Sequence, residues 1–332
     1  MTPRIGIIPG DPSGIGPELV ARLLNSDGVA EAADILLIGD RVIFEQGMAQ
    51  ADMPFALRPV EPSSGWAATK GEGFPWVETH TINADDIRIA GETVTSGQSV
   101  LETLNRALDL LKEGVIEALV FAPFNKAAMH LAGLQHPDEL HHIGERLGVT
   151  DYLSELNTLD GMWTSRVTSH IALKDVADTI TEQRLDDAIE LADKTLRRSG
   201  IKRPRIAVAA LNPHAGDGGN FGTEEIDLLQ PVVEKHAAKQ MAISGPWPSD
   251  TVFLKVAAKE IDAVVTMYHD QGQIALKLMG FSRGVTVQGG IPYPITTPAH
   301  GTAFDIAGQG KADVGATRAA FDIACDMVRN WT

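Results

Sequence analysis

The sequence predicts an α/β protein in which strands feed helices and the sheets are largely parallel. Short runs rich in Val and Ile alternate with longer stretches of helical period. Only 5% of the residues are aromatic, so the core must rest on Ala, Val, Leu and Ile, as in sheets covered by helices on both faces. At 332 residues the chain outgrows one small core, so one large α/β domain or two domains sharing a cleft is expected.

The elements follow in order. Arg4-Ile5-Gly6-Ile7-Ile8 opens as a strand over 5–8, followed by a helix over 16–24. Further strands are expected over 35–38, 118–122, 167–171, 206–211, 263–268 and 284–287, and helices over 97–112, 183–199, 223–239 and 317–329. Strand-then-helix repetition of this kind closes with right-handed crossovers. The stretch 53–90, with Pro54, Pro59, Pro62, Gly65, Gly71, Gly73 and Pro75, reads as an irregular excursion inside the first domain. No repeat of solenoid period is visible.

The formal net charge of −16 argues against nucleic acid or an anionic membrane surface as a partner. A small anion can still be held wherever a few Lys or Arg converge. The one cysteine, Cys325, sits in the apolar pattern Ala319-Ala320-Phe321-Asp322-Ile323-Ala324 and reads as a buried structural thiol. No run approaches a membrane span, and a strand begins at once, so a cytoplasmic protein is expected.

Three histidines stand at the ends of three predicted strands: His170 after Arg166-Val167-Thr168-Ser169, His214 after Leu211-Asn212-Pro213, and His269 after Met267-Tyr268. Ligands of α/β folds gather beyond the carboxyl ends of strands. One such histidine alone reads as a surface residue. Three together read as ligands for a divalent cation, with positions left open for a substrate hydroxyl.

Two glycine-rich turns accompany them. His214-Ala215-Gly216-Asp217-Gly218-Gly219-Asn220-Phe221-Gly222 offers backbone N–H groups to an anion. It fails the dinucleotide fingerprint at Phe221, as Gly14-Ile15-Gly16 fails it at Leu19. The segment 300–313 offers small residues for close approach of an adenosine, with Asp305 and Asp313 as acceptors for ribose hydroxyls; the alternative is a tight connector.

On these segments the chain resembles the 4-hydroxythreonine-4-phosphate dehydrogenase family of pyridoxal phosphate biosynthesis. The likeness runs from Gly10-Asp11-Pro12-Ser13-Gly14-Ile15-Gly16-Pro17-Glu18 through Leu211-Asn212-Pro213-His214-Ala215-Gly216 and Met267-Tyr268-His269-Asp270-Gln271-Gly272 to Lys311-Ala312-Asp313-Val314-Gly315, nearly the whole chain. It implies a two-domain fold like that of isocitrate and isopropylmalate dehydrogenases, with the active-site cleft between the domains. The expected division is 1–126 plus 285–332 for the NAD-binding domain and 127–284 for the domain with the metal ligands and dimer interface.

The resemblance also implies NAD held by His300, Gly301, Thr302, Ala303, Asp305 and Asp313. It implies a homodimer sharing a divalent metal (zinc first, then manganese, cobalt, nickel or magnesium), with His170 and His214 from one chain and His269 from the other. Lys277, Asp270, Asp250 and Lys126 are the expected catalytic residues, for charge neutralisation, orientation of a ligand histidine, or proton relay. Asp305 leans toward NAD over NADP, because it would repel a 2′-phosphate.

The chain departs from the family pattern around the substrate. A Gly-His-Thr-Glu motif is replaced by Asp138-Glu139-Leu140-His141, which sets Glu139, Leu140 and His141 beside Arg283 as expected substrate contacts. Lys277 is retained, but the partner asparagine and arginine are Thr286 and Ile295. A phosphate dianion favours bidentate arginine, and a facing Glu139 would repel it. The expected substrate is therefore a small anionic diol or hydroxy acid, carboxylated and non-phosphorylated, oxidised at a secondary alcohol, with decarboxylation where the product is a β-keto acid. A branch of the family acting on the cis-dihydrodiol of terephthalate sets the precedent. The alternatives are a genuine 4-phosphohydroxy-L-threonine dehydrogenase, a three-histidine metal hydrolase that binds no NAD, and a non-catalytic anion-binding module.

Overall fold

The computed structural model describes residues 2–68, 71–280 and 283–331. Along the chain run β1 (Arg4–Ile8), α1 (Gly16–Leu24), α2 (Val29–Ala32), β2 (Asp34–Ile38), α3 (Arg41–Ala51), β3 (Leu57–Pro59), β4 (Phe74–Val77), α4 (Val94–Lys112), β5 (Ala118–Phe121), α5 (Lys126–Leu131) and α6 (Glu139–Leu147). There follow β6 (Ser154–Leu159), β7 (Met162–Arg166), α7 (Val176–Thr179), α8 (Glu182–Arg198), β8 (Ile206–Ala209), α9 (Gln230–Ala238), β9 (Ile243–Trp247), α10 (Val252–Ala257), β10 (Ala263–Thr266), α11 (His269–Gly280) and β11 (Val285–Gly289). The chain ends with β12 (Ile295–Pro298) and α12 (Gly315–Asn330).

The α/β expectation holds, and the chain divides into two compact units. Unit 1 is 1–151 with 291–329, and unit 2 is 152–290 with 330–332. These boundaries fall later than the expected 126/127 and 284/285. Helix α5 is held to unit 1 by Gly97 of α4, where a Cβ would stand 2.0 Å from the Ala128 carbonyl. Strand β11 belongs to unit 2 through antiparallel pairing with β6.

The strands of unit 1 run β3-β4-β2-β1-β5-β12, and the pairings among them are parallel throughout the described residues. The chain leaves β1 for β2 on one side and β5 on the other, so the carboxyl end of β1 is a topological switch point. Strands β1, β2 and β5 are buried almost throughout, and read as continuous apolar runs for that reason. The stretch 53–90 is not wholly irregular: β3 and β4 lie within it and extend the sheet beyond β2.

Unit 2 orders its strands β11-β6-β7-β10-β8-β9. Strands β6 and β7 form an antiparallel hairpin across Asp160-Gly161, a dipeptide suited to positive φ; both residues take it, at 50° and 85°. The expected strand over 167–171 is wrong: β7 ends at Arg166, and Val167-Thr168-Ser169 continues as the turn that presents His170. The expected helix over 223–239 is continuous but takes a π-helical turn at Glu225–Leu229, just before Pro231, whose ring and missing N–H interrupt the regular hydrogen-bond ladder there. Cys325 is buried, and burial pushes its thiol up to about 12, so no thiolate is available near neutrality. No helix among the described residues is long and apolar enough to cross a membrane.

Candidate active site

Strands β7, β10 and β8 are parallel neighbours in that order. Their carboxyl ends therefore lie side by side, and from them the chain turns into Ser169-His170, His269 and Asn212-Pro213-His214. The Thr168 N–H and hydroxyl both donate to the Met267 carbonyl, at 3.1 and 2.8 Å, tying the first two turns together. The His170 and His269 rings stand 5.7 Å apart between centroids, and Asp270 Oδ1 lies 2.7 Å from His269 Nδ1. A cavity of about 220 Å³ opens on the pair, walled on its apolar side by Ile171, Leu173 and Val176.

His214 lies on the next strand end, exposed, with its ring 6.2 Å from that of Phe221. His214, Ala215, Gly216, Asp217 and Gly218 all take positive φ, a left-handed run that costs free energy at each non-glycine residue. The buried Glu225 braces it, accepting the N–H groups of Leu211 and Asn212 at 2.8 and 2.7 Å. The side chain of Asn212 binds both Glu224 and Glu225. Two carboxylates thus occupy the turn expected to cradle an anion, which repels one instead.

Within one chain the three imidazoles do not come together. Among the described residues the group of His, Asp and Glu close enough to share an ion is Asp40, Glu78 and His80, in unit 1. There Asp40 Oδ2 is already taken by the Thr81 and Ile82 N–H groups and the Thr81 hydroxyl. The near pair in unit 2 is His170 with His269, whereas the resemblance grouped His170 with His214.

Lys277 is exposed on α11, and Asp250 is exposed in the turn before α10. Arg283 pairs with Asp160 at 2.6 Å. Thr286 is buried and accepts from Asn157 Nδ2 at 2.9 Å.

In unit 1, Glu139 is buried and faces Lys126 Nζ at 3.3 Å, so its charge is balanced rather than turned on a substrate anion. Asp138 caps α6 by accepting the His141 N–H, and also lies 2.6 Å from His141 Nδ1. Leu140 is buried. Ile295 is fully buried, paired with Leu119 of β5, and so packs the sheet rather than walling an open pocket.

The segment 300–313 is seated on the β1–α1 turn. The Thr302 carbonyl accepts the Ile15 N–H at 3.1 Å, and a Cβ on Gly14 would stand 2.8 Å from the Thr302 Cβ. Buried Glu18 accepts the Ala312 N–H at 2.9 Å and pairs with Arg22, which donates to the Gly310 carbonyl. Glycines that fail a dinucleotide fingerprint thus serve as the bed for this loop. His300 contacts the Gly301 carbonyl through Nδ1, Ala303 takes a φ of 44°, and Asp305 is exposed. One oxygen of Asp313 is committed to the Gly315 N–H at the start of α12.

Sequence reasoning missed the acids beneath this loop. Asp11 Oδ2, Ser13 Oγ and Glu18 Oε2 are buried with no hydrogen-bond partner among the described residues. Unspent acceptors of this kind suit ligand hydroxyls or ordered water. Burial pushes the Asp11 carboxyl up to about 6, against the hydrogen bond from the Ser13 N–H and with Glu92 adding to the rise.

A folded-state value above the unfolded 3.8 means the native chain keeps a proton that the unfolded chain has lost. Stability therefore falls as pH climbs from about 4 to 6, and no further above that. Asp11→Asn keeps the oxygen that accepts from Ser13. Thermal melting of the ligand-free protein should place it about 5 °C above wild type at about pH 8 and level with it at about pH 4.

A parallel α/β unit carrying an acid-backed loop, and a mixed unit carrying strand-end imidazoles, belong to a dehydrogenase class acting on CH–OH groups, and relatives bear this out. The family model described as pyridoxal phosphate biosynthetic protein PdxA matches residues 31–324, and the chain belongs to that family. It is 52% identical over 332 residues to a Pseudomonas aeruginosa protein named "Putative 4-hydroxythreonine-4-phosphate dehydrogenase 2", covering 99% of this chain and 98% of that one. It is 39% identical over 313 residues to the D-threonate 4-phosphate dehydrogenase of Salmonella typhimurium, covering 94% of each. The crystal structure of 4-hydroxythreonine-4-phosphate dehydrogenase from Klebsiella pneumoniae superposes with a TM-score of 0.85 at 34% identity, over 99% of this chain and 98% of that one. Isocitrate dehydrogenase from Methylococcus capsulatus, at 14% identity and a TM-score of 0.51 over 99% of this chain and 88% of that one, shares the fold alone.

Proposed function

We propose that this chain is a divalent-metal-dependent, NAD-linked dehydrogenase that oxidises the secondary alcohol of a small carboxylated hydroxy acid. The observation that carries the reading is the His170–His269 pair, with Asp270 on His269, at the mouth of a cavity. The donor set fits a cation of the zinc or manganese type. A carboxylate accepting the Nδ1–H of His269 leaves the Nε2 lone pair available, and neutral imidazole is the ligating form. A cation there would supply Lewis-acid polarisation of the substrate hydroxyl.

The three histidines do not meet in one chain, so a site using all of them draws at least one from a second copy. A homodimer is supported by α11, whose Ile274 and Leu278 lie one turn apart on one face, 58% and 83% exposed. The NAD site is read at 300–313, where exposed Asp305 and the unspent oxygens beneath the loop suit ribose hydroxyls.

Two readings of the substrate share the carboxylate. The non-phosphorylated form rests on Thr286 and Ile295, neither of which offers a cation. The phosphorylated form rests on the exposed ammonium of Lys277, on the neutralisation of Glu139 by Lys126, and on the relative named for D-threonate 4-phosphate.

The test is NADH formation from a panel of hydroxy acids, before and after treatment with a chelator. We expect turnover to fall to background on chelation and to return with zinc or manganese. Chelator-resistant NADH formation would remove the cation from the reading. Hydrolysis without NADH would favour the hydrolase.

A further inference from the structure

Behind the His170–His269 pair lies a buried polar network that none of the expected site residues explains. Arg166, the last residue of β7, is 4% exposed. Its Nη2 donates to Glu155 Oε2 at 2.6 Å, its Nη1 to Asn157 Oδ1 at 2.9 Å, and its Nε to Ser169 Oγ at 3.0 Å. Its own carbonyl accepts the Tyr152 hydroxyl at 3.1 Å. All three arms of the guanidinium fork are spent inside the protein, so it is not a substrate clamp.

Asn157 is the second hub. Its Oδ1 also accepts from Gln273 Nε2 at 2.6 Å, and its Nδ2 donates to Thr286 Oγ1 at 2.9 Å. The register explains the meeting: Asn157 stands opposite Thr286 on β11 and opposite Thr164 on β7. The same antiparallel count brings Arg166 level with Glu155, two residues away on the same face of β6.

The two outlying arms end beside the two histidines. Ser169 immediately precedes His170, whose φ of 51° an L-residue holds only when its surroundings enforce it. Gln273 lies one helical turn after His269 on the same face of α11. One connected set of hydrogen bonds, buried at its centre and part-buried at its ends, thus runs from the turn that carries His170, through Arg166 and Asn157, to the helix that carries His269.

We propose that Arg166 and Asn157 are positioning residues that fix the separation of the two imidazoles through Ser169 and Gln273. The proposal rests on the reading of His170 and His269 as cation ligands. Isolated ligands on a left-handed turn and at a helix start would each wander. A shared, hydrogen-bonded anchor costs little reorganisation when an ion arrives. Outer partners of metal-binding histidines act in this way, and removing one weakens affinity about 10- to 100-fold.

Arg166 itself is a poor first target, because its loss leaves the half-buried Glu155 carboxylate without its guanidinium partner. Ser169→Ala and Gln273→Met each cut one arm and leave the hubs intact, while Ser169→Thr keeps the hydroxyl. Zinc alone is titrated calorimetrically into the metal-free full-length protein, imidazole ¹⁵N resonances are recorded, and melting temperatures are compared. We expect about tenfold weaker zinc binding in each severed variant, shifted or broadened His170 or His269 resonances, an unchanged melting temperature, and wild-type affinity in Ser169→Thr. Wild-type affinity in both severed variants, while His269→Ala loses zinc, overturns the inference and leaves the functional reading standing. A fall in affinity that tracks melting temperature with imidazole resonances unmoved also overturns it. Zinc binding indifferent to His269→Ala sinks the functional reading, and the inference with it.

Discussion

His269→Ala is expected to lower kcat/KM for alcohol oxidation at least about a thousandfold, roughly 4 kcal/mol of transition-state stabilisation. The side chain stands at the first residue of α11, about a third exposed, so its removal opens no core cavity. What is lost is an imidazole oriented by Asp270 and matched to His170. Steady-state NADH formation measures the loss, and a rate within tenfold of wild type would leave the cation without a role.

Mixed dimers then ask which histidines act together. In one chain His170 neighbours His269 and not His214, so we expect His214 to come from the partner subunit. An equal mixture of His170→Ala and His214→Ala chains should recover about a quarter of wild-type activity, because half the dimers then hold one intact site of two. A mixture of His170→Ala with His269→Ala should stay dead. The opposite pattern would restore the grouping of His170 with His214.

The second large effect concerns the substrate. The substrate stretch reads Asp138-Glu139-Leu140-His141, in which Asp138 and His141 bond each other and Glu139 is held by Lys126. Nothing in it offers the hydroxyl and free imidazole of a Gly-His-Thr-Glu motif. We expect a carboxylated hydroxy acid to exceed 4-phosphohydroxy-L-threonine in kcat/KM by at least about tenfold; a site built for one set of polar partners rejects a mismatch by that much or more. Preference for the phosphorylated amino acid would defeat the argument.

Lys277→Met separates the two carboxylated candidates. A phosphate dianion that loses a charged hydrogen bond worth about 1.5–3 kcal/mol should show a KM about 10- to 100-fold higher. For a non-phosphorylated substrate the same change is expected to matter only if Lys277 holds the carboxylate. In that case the phosphorylated and plain acids rise together.

Much of this protein was legible from local pattern. The apolar runs of β1, β2, β5, β8 and β10 declared themselves, because strands buried on both faces must be continuously apolar. So did the strand-end positions of His170, His214 and His269, since residues just past a strand are placed by the strand itself. Short strands with mixed or proline-bearing sequence did not. Strands β3 and β4 each contain a proline and exist because they extend a sheet edge, and the segment after Arg166 was drawn into a turn by the end of β10.

Partnership was hidden for a different reason. Glu139 reads as a repulsive charge until Lys126 is found 3.3 Å away, and Ile295 reads as a pocket wall until it proves wholly buried. Arg166 carried no signal of its own along the sequence, yet Glu155, Asn157, Ser169 and Gln273 converge on it and its hub from four points of the chain. Side-chain pattern along a chain dictates which elements form and which residue types stand at their ends. Which of those residues meet depends on sheet order and register, and these are settled by packing between segments far apart in sequence.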